Sequence, residues 1–433
     1  MECLIQSDCL DSHNQQHYSR HRQDFDTLGD KLSHSGIDIH AILAKAKAFA
    51  ISIPSWGVGT GGTRFSRFPI QGEPRNLLEK IDDCAVVHQL SAVTPTVSLH
   101  IPWDKIQKDP KSLLDYAGAR NLSFDAINSN TFQDRAGQPL SYKFGSLTST
   151  SKSVRDQAIA HNIEVIRMGE SINSKAIIIW VADGSNFPGQ QHFRSSFERY
   201  LESIKAIYEA LPEDWIMLLE HKIFEPALYS TVLQDWGSSY LAAKETGERC
   251  LSLVDLGHHG PTVNIEMIVS RLAHFGKLGG FHFNDSKYGD DDLDSGSVSP
   301  YQLFLIFNEL VDIQLKDTGF QPSYMLDQSH NVTDPLESLM YSASEVQRAY
   351  VKSLLVDRSA LDSYQQDNDP LMAQATLKLA FNQDVEAILQ RARLEQGGAI
   401  EPVACYRASG YRNQCGIRRP NHEGKLVPGP GIV

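Results

Sequence analysis

The sequence predicts an α/β protein, a (β/α)8 barrel with a C-terminal helical extension. Three observations lead there. One unit recurs eight times: a short apolar run, a polar or glycine-bearing break, then a longer segment with helical spacing. The apolar runs are nearly continuous rather than alternating, as in strands buried on both faces. The charged and histidine-bearing clusters follow the runs, and in such barrels chemistry sits at the C-terminal strand ends.

In chain order, the first run is Ala48 to Pro54, closed by Ser55-Trp56-Gly57. Thr96 to Ile101 ends in His100-Ile101-Pro102-Trp103-Asp104, and Leu122 to Ile127 opens into Asn128-Ser129-Asn130-Thr131-Phe132. Ala176 to Ala182 is the most strand-like, with Ile177-Ile178-Ile179-Trp180-Val181 ahead of Asp183-Gly184-Ser185. Trp215 to Leu219 leads into Glu220-His221-Lys222, and Leu251 to Val254 into Asp255-Leu256-Gly257-His258-His259. Leu278 to Phe283 carries His282 and breaks at Asn284-Asp285-Ser286; Gly289 then turns the chain into Asp290-Asp291-Asp292. Ser323 to Leu326 ends in Asp327-Gln328-Ser329-His330.

Helices are expected between the strands, among them Phe197 to Leu211 and Asn264 to Leu272, the latter with Ile265, Ile268, Val269 and Leu272 on one face. Past about residue 335 the alternation stops. Pro335 to Val356 and Leu371 to Gln396 read as helices, the second with Leu377, Leu379, Ala380, Val385, Ile388 and Leu389 on its apolar side, and Gly397 to Val433 as a Gly/Pro-rich tail. The expected division is a helical lead and barrel over 1–340 and a helical arm with its tail over 341–433. The arm's apolar stripe is expected to pack either on its own barrel or on another subunit, the second being favoured.

Composition narrows the function. An apolar fraction of 41% with 21% charged residues is that of an ordinary globular chain, and the formal net charge of -13 disfavours nucleic acid, which calls for a basic face. No run approaches the length of a membrane span, and Met1 to Asp26 shows neither a cationic n-region nor an apolar h-region. The six cysteines lie far apart without Cys-x-x-Cys spacing and read as reduced thiols in a cytoplasm.

The strand ends converge on one rim. Glu220 and Lys222, two apart, share a face; Asp255 and His258 follow the sixth run; His282, Asp290 and Asp292 come from the seventh, and Asp327 from the eighth. Five carboxylates that close would repel, whereas two divalent ions supply four positive charges and Lys222 a fifth. Oxygen-rich ligation with a minority of imidazole suits Mn²⁺ first, with Co²⁺, Mg²⁺ or Zn²⁺ as alternatives. Singly, each residue has a plainer role: His282 as a satisfied core histidine, Asp327 as a cap, Asp255 before Gly257 as turn chemistry. His221 and His259 alternate away from this face. Gly57-x-Gly59-x-x-Gly62 spells a dinucleotide fingerprint, but Thr63 to Pro69 lacks the apolar helical period that a pyrophosphate site needs.

Glu220-x-Lys222, Asp255-x-x-His258, His282-Phe283-Asn284-Asp285, Asp290-x-Asp292 and Asp327 look like the two-metal signature of the xylose-isomerase-like TIM barrels. With the segments Pro54 to Phe65, Ser98 to Asp104 and Asp183 to Gln190, the chain resembles the L-rhamnose isomerases of the Pseudomonas type over about residues 25 to 415. The resemblance implies two divalent metal ions per subunit, manganese foremost, in a homotetramer. Glu220, Asp255, His282 and Asp327 would hold a structural ion, and Asp255 would bridge to a second held with His258, Asp290 and Asp292. Lys222 would hydrogen-bond the carbonyl end of the opened sugar; Trp56, Trp180 and Phe132 would pack its carbon skeleton, and Phe65 would reach a neighbouring subunit's site. His100 resembles the ring-opening histidine. Asp104 lies four residues beyond it, where the xylose isomerases have the acidic partner three residues on.

The implied reaction interconverts an aldose and a ketose: L-rhamnose and L-rhamnulose, with D-allose/D-psicose and L-mannose/L-fructose as further pairs. A hydride would shift between C2 and C1, with Asp290 among the catalytic groups and no organic cofactor. Metal-dependent ketose 3-epimerisation on the same barrel is the alternative, since fold does not dictate reaction. Glu220-x-Lys222 and the paired Asp290 and Asp292 favour isomerisation, and Lys222 has no evident use in a protein that only binds sugar.

Overall fold

In the computed structural model, residues 4–59, 69–106, 109–135, 137–329 and 332–420 are described, and eight parallel strands close into a barrel. They are β1 (Ser52–Pro54), β2 (Thr96–Ile101), β3 (Ser123–Ser129), β4 (Ala176–Ile179), β5 (Ile216–Glu220), β6 (Cys250–Asp255), β7 (Leu278–Phe283) and β8 (Ser323–Leu326). Each pairs with its sequence neighbour, and β8 closes onto β1. The second, seventh and eighth match the expected runs. β1 begins later than its apolar run, because Ile39–Ala48 is a helix whose N-cap Asp38 accepts from His40 N–H and whose Ile42, Leu43 and Ala46 are buried. β5 and β6 run one residue past their apolar stretches, so Glu220 and Asp255 lie within the ladder itself.

Large and small apolar side chains together fill the barrel's interior. Trp56, Ala126, Ala176, Ile178, Leu218, Leu253 and Met325 form one buried cluster. A Cβ at Gly279 would lie 2.7 Å from Leu251 Cβ, so β7 approaches its neighbour only because this position is glycine. The larger apolar layer lies between strands and helices, where Ile265–His274, capped by Asn264, buries Ile265, Ile268, Val269 and Leu272.

Ser7–Ser33 is one long helix. The C-terminal part of the chain departs most from expectation. Pro335–Ser353 spans the expected boundary at 340, and Leu371 to Gln396 is two helices, Pro370–Phe381 and Glu386–Glu395, broken at Asn382-Gln383-Asp384. The break turns the stripe: Val385, Ile388 and Leu389 are buried with Phe25, Leu28 and Leu32 of the N-terminal helix, while Leu379 is 78% exposed. Much of the arm therefore packs on its own chain. The expected tail holds two further helices, Pro402–Ser409 and Tyr411–Arg418, which pack back on the body of the protein. Arg419 Nη1 donates to both oxygens of buried Asp83, at 2.8 and 2.9 Å, and Tyr411 donates to Asp83 at 2.7 Å. Arg412 and Tyr406 converge in the same way on Asp334.

Candidate metal centre

Register brings the ligands together. Asp255 on β6 lies opposite His282 on β7, His282 opposite Met325 on β8, and the Asp327 N–H donates to Phe283 C=O at 3.0 Å. Ligand atoms of Glu220, Asp255, His282 and Asp327 all lie within 4.8 Å of one another. A second group, Asp255, His258 and Asp290, does so too, and Asp255 belongs to both. These are the only such groups among the described residues.

His282 tests whether an ion fits. Its Nδ1 lies 3.3 Å from Glu220 Oε1, 3.3 Å from Asp327 Oδ2 and 3.6 Å from Asp255 Oδ2, yet it makes a well-directed hydrogen bond to none of them. Three carboxylate oxygens gathered round one buried nitrogen, without hydrogen-bond geometry, suit a shared cation better than a proton. The residues present therefore fit a divalent ion in this group.

The charges are consistent with a cation's place. Burial opposes charge on His258, but Asp255 and Asp290 outweigh it and lift the imidazole to about 9. Burial is likewise outweighed at His282, which Glu220, Asp255 and Asp327 raise well above its usual value. Asp290 is held well below the carboxylate range against burial by His258 and Lys222. Asp292 moves the other way: burial, then Asp290, Asp327 and Asp255, push it well up. Asp292 belongs to neither ligand group but lines the same cavity beside Asp290. Both aspartates adopt left-handed backbone (φ 54° and 51°), a conformation that Asp tolerates better than most side chains. Asp291 points away and accepts from the Lys287 and Tyr288 N–H groups.

The remaining expected residues line that cavity. Lys222 pairs with Asp290, lies 3.5 Å from Glu225, and sits 5.0 Å above the Trp180 ring. Trp180 meets Phe132 edge-on at 4.5 Å, and Trp56 closes the other side, its Nε1 donating to Asp327 Oδ1 at 2.9 Å. His100 stacks on Trp103, 3.7 Å between centroids. Its Nδ1 is buried with no hydrogen-bond partner; Asp104 bonds to the His100 backbone rather than to the ring. Phe65 lies outside the described residues. His221 and His259 pair with each other instead, 3.1 Å between Nε2 atoms.

Some residues are missed by the sequence reading. Asn284, read there as a strand break, donates from Nδ2 to both oxygens of Asp255. Lys80 and Ser55 reach Asp104 from a helix and a turn. A signal for Lys80 exists: with Leu77 and Cys84 it falls at helical offsets on a buried stripe, where an unpaired charge is costly.

No family model matches the chain. Among curated proteins it is 59% identical to a probable sugar isomerase of Rhizobium meliloti, over 100% of both chains. It is 60% identical to a probable sugar isomerase of Mesorhizobium japonicum, over 97% of each. Among solved structures, an L-ribulose 3-epimerase covers 71% of this chain, which in turn covers 98% of that one, with a TM-score of 0.52 and 14% identity. That likeness is one of fold.

Proposed function

This chain belongs to the family of those probable sugar isomerases, and we propose that it is a metal-dependent aldose–ketose isomerase acting on L-rhamnose, with D-allose and L-mannose as further substrates. The observation that carries the reading is the pair of ligand groups sharing Asp255, with Lys222 beside them in an aromatic-walled cavity. Glu220, Asp255, His282 and Asp327 would hold one divalent ion, and Asp255, His258 and Asp290, with Asp292 adjacent, a second; Mn²⁺ suits both. Bound there, such ions supply Lewis-acid stabilisation of negative charge on sugar oxygens.

The side chains divide the other tasks. The Lys222 ammonium, held at Asp290, is placed to donate to the carbonyl oxygen of an opened sugar. Trp56, Phe132 and Trp180 present apolar faces that pack the C–H surfaces of a hexose and exclude water. His100 offers Nε2 to the cavity, since its Nδ1 is buried against protein. An apolar wall of this kind discriminates weakly between a methyl and a hydroxymethyl at C6, which supports relaxed specificity. We assign hydrogen transfer between C2 and C1 to a hydride shift. Deuterium from heavy water appearing at C1 of the ketose would replace it with an enediol route.

The test is ketose production by chelator-stripped protein on L-rhamnose and D-allose, with and without Mn²⁺. Metal-dependent ketose from either sugar is the expected result. No ketose from either, in a protein that binds two equivalents of metal, would move the assignment to ketose 3-epimerisation.

A further inference from the structure

We infer that Asp104, secured by Lys80 and Ser55, is the positioning residue for His100 in opening the cyclic sugar, and that it acts through the backbone rather than through the imidazole. The inference rests on the isomerase reading above.

Asp104 has no exposed side-chain surface, and its oxygens are fully engaged. Oδ1 accepts from Lys80 Nζ at 2.8 Å; Oδ2 accepts from the His100 N–H at 2.8 Å and from Ser55 Oγ. The Asp104 N–H in turn donates to His100 C=O at 2.8 Å, so the turn from His100 to Asp104 is closed from both sides. That closure places Trp103 beneath the imidazole, with the rings 17° from parallel. Ser55 opens the turn that carries Trp56, whose ring meets His100 at 5.5 Å. One carboxylate thus sets three rings of the cavity wall. Lys80 supplies the charge that a buried carboxylate requires.

A histidine that moves protons is commonly aimed by a carboxylate on its other ring nitrogen. Here that nitrogen has no hydrogen-bond partner, so stacking and the closed turn must set the ring plane. The step it serves is a proton transfer without oxidation. The anomeric hydroxyl gives its proton to Nε2, C1=O forms as the C1–O5 bond breaks, and the proton is returned to O5. Displacing the ring should slow this step while leaving C1–C2 hydrogen transfer on an already open aldose in place.

Two substrates separate these cases: L-rhamnose, which is cyclic in solution, and glyceraldehyde, too short to close a five- or six-membered ring. For the Lys80→Met/Asp104→Asn double variant, which leaves no unpaired buried charge, kcat on L-rhamnose should fall by about 10- to 100-fold at similar KM. Its kcat/KM on glyceraldehyde and its Mn²⁺ stoichiometry should stay near those of the unaltered protein. Ser55→Ala keeps the ion pair and should show the same selectivity more weakly, so the inference stays testable if the double variant does not fold. Equal losses on both aldoses, or no loss on L-rhamnose, would overturn it. Failure of the unaltered protein to isomerise either aldose would instead remove the isomerase reading itself, and this inference with it.

Discussion

Asn284 grips the carboxylate that both ligand groups share: its Nδ2 donates to Asp255 Oδ1 at 3.0 Å and to Oδ2 at 3.2 Å. The neighbouring Gly257 makes room for this, since a Cβ there would lie 2.9 Å from Asn284 Oδ1. Partners of this kind orient ligands, and their loss typically weakens metal binding by about 10- to 100-fold. Asn284→Ala should therefore raise the Kd for Mn²⁺ by that factor in a chelator competition; an unchanged Kd would show that Asp255 needs no such support.

Removing Asp255 takes one ligand from each group at once. Asp255→Ala should abolish activity and lower the metal content of gel-filtered protein, read by elemental analysis. Two retained ions at full rate would end its assignment as the shared ligand.

Lys222 presents a different case, because it pairs with Asp290, a candidate ligand, and is a member of neither group itself. Lys222→Met should keep the fold and the bound metal while kcat drops by about 10²- to 10³-fold, the usual cost of losing a donor aimed at developing charge. Loss of metal in this variant would make Lys222 structural instead.

His161 gives a pH signature away from the candidate metal ligands. It is buried, its Nε2 accepts from the Asn130 N–H at 3.3 Å, and burial followed by Arg135 lowers it from 6.5 to about 4. Between those values the unfolded chain binds a proton that the native one does not, so stability falls as pH drops through the window. His161→Gln should remove about 2 kcal/mol of that loss by pH 4.5. Parallel Tm-versus-pH curves for the two proteins would contradict this.

Arg419→Met should cost about 3–5 kcal/mol in urea unfolding, because it strands the buried Asp83 carboxylate. A cost below about 1 kcal/mol would mean that Asp83 is neutral in the native state.

Much of the barrel and of the rim is legible in the sequence, for physical reasons. Strands buried on both faces need continuous apolar runs, and their polar ends reach one rim once the runs are parallel. Hence Glu220, Asp255, His258, His282 and Asp327 can be assigned to one rim without coordinates, while their division into two ligand sets is what the resemblance implies. What is hidden depends on packing. The Ala48 to Pro54 run is apolar throughout, and only the Asp38 cap tells where helix gives way to strand. Asn382-Gln383-Asp384 interrupts the apolar period of the arm by too little to reveal a break. The Lys80–Asp104 and Asp83–Arg419 pairs join residues with no shared local pattern; the second spans 336 positions.

That span bears on how the protein is made. During synthesis all eight strands emerge before Pro402, yet at that point Asp83 still lacks Arg419 and Tyr411, and Asp334 lacks Arg412 and Tyr406. A nascent chain can therefore hold every candidate metal ligand and still carry two buried or half-buried carboxylates awaiting partners. Completion of the fold would then wait on Pro402–Ser409 and Tyr411–Arg418 rather than on the eighth strand, and a chain released before Pro402 should be far more protease-sensitive than the whole.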